Sequence, residues 1–189
     1  IDLVPRVCIS LMLTVGGILT EFVGVTHPWW QMAGIVLLGP VWLTLVLVIF
    51  FNRGTPLGET ATRLDWWFRS LLIVGILVSV TYSWATGRLT DTPWVAGKLI
   101  LFAAIIFFGL LMRLQFRGFM DGIARLATEG STDDVNGAMA GSLSRTKPFV
   151  FAIWACLLLA GILGVAQPGS PDAEAVAALP PENVEWRSK

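Results

Sequence analysis

Glu21, His27, Gln31 and Lys98 are polar side chains set inside or just beside long apolar stretches. Ser79, Tyr82, Ser83 and Thr86 join them from a third such stretch, and their i, i+3, i+4, i+7 spacing puts the four hydroxyls on one helical face. An acid, an imidazole and an ammonium at one depth can pair with one another, pass a proton or grip a polar ligand. The structural reading is a pair, Glu21 with Lys98 or with a tyrosine hydroxyl; the functional one is a proton or ligand contact. Glu21 shares its face with Gly17 and Gly24, which turns the acid toward neighbouring helices.

His27 is the one histidine of the chain. Beside Pro28 and Trp29 it reads either as an interfacial helix cap or as a single ligand. As a ligand it would serve a haem or chlorophyll-type pigment needing one axial nitrogen, or a copper ion shared with Met32. Cys8 and Cys156 fall at other depths and cannot converge with His27 and Met32 on one ion. No phosphate loop, metal-ligand cluster or nucleophile motif stands out. A non-catalytic protein is therefore expected, and the residues leave its cofactor open.

These residues must be positioned by membrane spans. Of the 189 residues, 55% are hydrophobic and 14% charged, and mean hydropathy is +0.73, outside the range of ordinary soluble domains. The stretch 94–112 holds eleven Val, Leu, Ile and Phe residues around the single charge of Lys98. At about 1.5 Å per residue it reaches across a hydrocarbon core of roughly 30 Å. Its lysine lies a turn from one end, where the ammonium can snorkel to the interface.

Hydropathy predicts five spans, at about 7–25, 29–51, 71–87, 94–112 and 149–166. Gly39-Pro40 predicts a kink within the second. The connection 113–147 carries Phe116, Phe119, Met120, Ile123, Leu126 and Ala127 at helical spacing, which predicts an amphipathic helix lying on the membrane surface. Ser131 to Asp134 predicts the cap of a second short helix. Residues 169–189 are proline-rich and acid-leaning, so a loosely ordered tail is expected. The chain opens on Ile1, which leads us to expect a preceding segment, and the first span is too long and too poorly flanked to be a signal peptide.

Arg6, the arginines of the 52–69 link and the basic residues of 113–147 lie on one side, against Arg88, Arg187 and Lys189 on the other. The positive-inside rule then places the N-terminus in the cytoplasm and the tail outside. Zero net charge and scattered basic residues exclude a nucleic-acid partner. The expected partners are the lipid bilayer and other integral membrane subunits. Small residues at Gly16, Thr20 and Gly24, and at Ala152, Cys156, Ala160 and Gly164, make two stripes suited to close helix packing, within the bundle or against another subunit.

From Trp29 to Pro168 the pattern resembles the CopD-like family of bacterial integral membrane proteins, associated with copper resistance. The likeness rests on His27, Thr86-Gly87, Trp94 with Lys98, the basic exit Arg113 and Arg117, and Arg145 before a span ending Leu163-Gly164. It implies a helical bundle in a bacterial inner membrane with a metal or haem role. The chain departs from that pattern in having no Met-rich or His-rich outer motif. Three functions follow as expectations: an accessory or structural subunit of a larger membrane complex, copper handling at the outer face, or a single-histidine haem, quinone or pigment protein.

Overall fold

The computed structural model describes residues 3–22, 25, 27–90 and 92–169, the side chain of Glu129 excepted. Five helices follow one another: α1 (Leu3–Glu21), α2 (Trp29–Phe51), α3 (Pro56–Ala85), α4 (Pro93–Glu129) and α5 (Asp133–Ala166). All five are long and apolar enough to cross a membrane, and no strand occurs among the described residues. Short connections make each helix antiparallel to the next, and each packs chiefly on its neighbour in sequence. One pole of the bundle gathers Arg6, Arg53, Arg63, Arg69 and Arg113. The opposite pole gathers His27, Arg88 and Lys98, and the two are called the basic pole and the His27 pole.

The core lies between α2, α3 and α4, where Trp42, Val46, Leu72, Ile76, Phe102 and Ile106 are buried. Outward, Leu71, Val78, Phe151, Trp154 and Leu158 stay exposed. An apolar exterior of this extent suits hydrocarbon as its solvent.

The second span has the bounds expected from hydropathy, but three others are longer. Helix α3 begins at Pro56, inside the expected polar link, because Thr55 caps it by accepting from the Gly58 N–H at 3.2 Å and Pro56 occupies the first turn. Helix α4 runs unbroken to Glu129 and ends at Gly130, whose φ of 76° suits glycine. The expected surface-lying helix is thus the continuation of α4. The expected short helix after Ser131 is the start of α5, capped by Thr132 accepting from the Val135 N–H at 3.3 Å and continuing through Pro148.

Beyond the basic pole α4 and α5 therefore form a helical hairpin. Gly118 and Gly122 let it close, the first against Ser142 and the second against Met139, and Ser142 Oγ donates to the Gln115 carbonyl at 2.7 Å. At 37 residues α4 is about 55 Å long, far more than one bilayer crossing needs.

Around Gly39-Pro40 α2 stays helical and takes a side chain from α1. Thr14 of α1 accepts from the Gly39 N–H at 2.9 Å and donates to the Ile35 carbonyl at 2.8 Å. Those two backbone groups are the donor and acceptor of a single i→i−4 rung, so a side chain from one helix is seated in the ladder of the next. Thr14→Val should lose about 1 kcal/mol of bundle stability while Thr14→Ser retains most of it, measured by unfolding in detergent; equal stability of the two variants would contradict this role.

Candidate functional site

A cavity of about 1150 Å³ lies between the helices and takes lining residues from all five. Its origin is in small residues that do not close the gap. A Cβ added at Gly16, Gly75 or Gly161 would meet nothing within 4 Å, and all three glycines are in the cavity wall. Gly17 behaves differently, since a Cβ there would collide with Ile35 of α2. Of the stripe expected on α1, Gly16 and Thr20 are in the cavity wall, while the neighbouring Gly17, also in the wall, brings α1 onto α2. Gly24 lies outside the described residues.

The stripe on α5 is shared in the same way. Cys156 is buried, Ala152 is half-buried, Ala160 is in the cavity wall, and Gly164 gives room to the Lys98 ammonium. Toward the basic pole the wall is apolar, with Leu13, Leu38, Phe68, Leu72 and Phe102. Leu19, Phe22, Leu71 and Leu157 also belong to it and remain exposed, so the chamber is open to the surroundings.

Toward the His27 pole the wall becomes polar. His27, Gln31, Ser79, Ser83 and Lys98, five of the residues expected at this depth, are all in it. Tyr82 and Thr86 are not: both are exposed, and Thr86 Oγ1 donates to the Tyr82 carbonyl at 2.9 Å. The face expected to hold four hydroxyls therefore divides, with Ser79 and Ser83 toward the cavity. Arg88, Trp94 and Gln167 complete this end of the wall. Trp94 has the sequence signature of an interfacial anchor, yet it is only 6% exposed, and its Nε1 has no acceptor among the described residues.

The structure pairs Glu21 with His27 rather than Lys98. Glu21 Oε1 accepts from the His27 backbone N–H at 2.8 Å and lies 3.0 Å from Nδ1. The chain turns directly after α1, so the acid closes its own connection. Because a carboxylate only accepts, Nδ1 carries the proton, and in neutral imidazole Nε2 is left with a lone pair. Lys98 instead places its ammonium 4.9 Å from the centre of the Trp94 ring.

Among the described residues no three His, Cys, Asp or Glu side chains are grouped closely enough to hold a metal ion. Cys8 is exposed on α1, Cys156 is buried on α5, and Met32 is half-buried on α2 outside the cavity wall.

A second polar centre, absent from the sequence reading, lies at the basic pole. The Asp65 side chain is fully buried and accepts three hydrogen bonds: from Arg69 Nε at 2.9 Å, Arg113 Nη1 at 2.7 Å and Trp42 Nε1 at 3.1 Å. The Arg69 guanidinium also lies 4.9 Å from the Trp42 ring centre. One carboxylate thereby ties α2, α3 and α4 together. The available signal was the i, i+4 spacing of Asp65 and Arg69. With its oxygens occupied, Asp65 acts as a clamp, and the cavity is the place where a ligand fits.

Comparison with protein-family models, curated proteins and solved structures yields no significant match.

Proposed function

We propose that this chain is a non-catalytic multi-pass membrane protein that holds one amphiphilic molecule of the bilayer inside its bundle. The observation that carries this reading is the cavity itself: its volume is somewhat above the ~300–1,000 Å³ typical of small-molecule sites, and it is apolar toward one pole and polar at the other. A molecule with an apolar tail and a polar head matches that division. The open wall gives it a route from lipid.

Native mass spectrometry of the full chain, extracted gently from its own membranes, tests the proposal. A retained lipid-like adduct is expected, and it should disappear in Gly75→Leu/Gly161→Leu, which extends side chains into the chamber from positions where a Cβ meets no atom within 4 Å. Replacing helical glycines with leucine also favours the helix, so the filled variant should fold. A bare wild-type chain, or an adduct indifferent to filling, would refute the reading.

The subunit function expected from sequence is kept as a second reading, favoured by α5, which buries little of its apolar stretch within this chain. Copper handling of the CopD-like kind would have to be built on His27 Nε2 and Met32. We further place the protein in a bacterial inner membrane with the α4–α5 hairpin in the cytoplasm. In a background lacking Cys8 and Cys156, Thr90→Cys should react with an impermeant thiol reagent in intact cells while Ser131→Cys should not; the reverse pattern would invert the topology.

A further inference from the structure

We infer that the molecule held in the cavity is a membrane lipid whose head is an anionic phosphate. This deepens the amphiphile reading and rests on it. The polar end of the wall is rich in donors. Lys98 and Arg88 are in it, with the Ser79 and Ser83 hydroxyls and Trp94. Among the described residues no Asp or Glu is in it, and Glu21, the acid next to this pole, gives Oε1 to His27.

Two of these donors are unspent. The Lys98 ammonium lies beside the Trp94 ring and Gly164, with no hydrogen-bond or ion-pair acceptor among the described residues. Trp94 Nε1 is buried and has no acceptor there either. A buried N–H without an acceptor is costly, and an ammonium inside a membrane span is normally paired. Both costs fall if an acceptor-rich anion enters.

The serines point the same way. Thr60, Thr62, Ser70 and Thr81 of the same helix all donate to the carbonyl four residues back, as hydroxyls in membrane helices do, whereas Ser79 and Ser83 make no such bond. Donors approach from α3, from the α3–α4 connection and from α4. The tetrahedral oxygens of a phosphate can meet donors converging from several directions, which the planar pair of a carboxylate cannot do as fully. The apolar remainder of the chamber then receives acyl chains.

Binding of dioleoyl phosphatidic acid and dioleoylglycerol, identical in their tails, to delipidated full-length protein in detergent tests this. Phosphatidic acid should bind about tenfold more tightly, the scale of one charge-assisted hydrogen bond. Lys98→Gln should erase most of that preference and Lys98→Arg should keep it. Trp94→Phe, which removes the unused N–H and keeps most of the ring, should weaken phosphatidic acid several-fold more than dioleoylglycerol. Millimolar inorganic phosphate should not displace the lipid. Equal binding of the two lipids, or an unchanged preference in Lys98→Gln, overturns the phosphate head while leaving the amphiphile reading standing. Displacement by inorganic phosphate overturns a lipid as the occupant. Failure of both lipids to bind overturns the cavity's function altogether.

Discussion

Asp65→Ala is expected to destabilise the bundle by about 3–5 kcal/mol, the usual cost of removing one partner from a buried ionic centre. The loss is large because of what stays behind. The Arg69 side chain is only 6% exposed and would keep its charge without the carboxylate that neutralises it, and Trp42 Nε1 would lose its acceptor. Arg113, at 30% exposed, can turn partly toward water, so its share is smaller. Replacing Asp65 and Arg69 together by Leu and Met should recover much of the loss, since two apolar side chains leave no buried charge unpaired. Reversible unfolding of the purified protein in detergent measures both. A double variant whose loss equals the sum of the single losses would show that the pair is not coupled.

Trp42→Ala has the next largest expected effect, roughly 3 kcal/mol, the low end of the range for truncating a buried tryptophan. The low end applies because separated helices in a bilayer are solvated by lipid, leaving lost packing as the main term. Trp42 is fully buried, packs on Phe68 with ring centres 5.6 Å apart, lies under the Arg69 guanidinium and donates to Asp65. Trp42→Phe keeps most of the ring contact and removes the donor, so it should lose only about 1–2 kcal/mol. Equal losses in the two variants would assign the whole effect to the hydrogen bond and contradict the packing role.

The fold was largely legible in the sequence because crossing a bilayer requires about twenty apolar residues, a signal that survives without knowledge of any partner. Helix α2 is the clearest instance, with the expected bounds Trp29–Phe51. Polarity misleads where a helix leaves the apolar layer, since a chain can stay helical in water as long as nothing stops it. No cap or proline interrupts α4 between Met112 and Glu129, and so the helix goes on. For α3 the decisive residues were Thr55 and Pro56, which set a start point that hydropathy does not register.

Part of the site was legible for a related reason. Span boundaries fix depth, and depth alone brought Gln31, Ser79, Ser83 and Lys98 to one pole. Depth does not fix direction. Glu21 meets His27 because the chain turns back after α1, and Tyr82 points away from the cavity that Ser79 and Ser83 face. Asp65 was hidden by its surroundings, since Arg63, Asp65 and Arg69 together read as a solvated link, whereas α3 buries Asp65 and Arg69 and leaves only Arg63 exposed. The cavity was illegible altogether: Gly16, Gly75 and Gly161 look like packing residues, and only the distances between helices show that they leave space.

The most direct test of the central claim, that the bundle holds an amphiphile, is electron cryomicroscopy of the protein in a lipid nanodisc. One elongated density is expected, with its head beside Lys98 and Trp94 and its tail running toward Phe102 and Leu72. Helices drawn together with Gly16, Gly75 and Gly161 in contact, and no density between them, would contradict it.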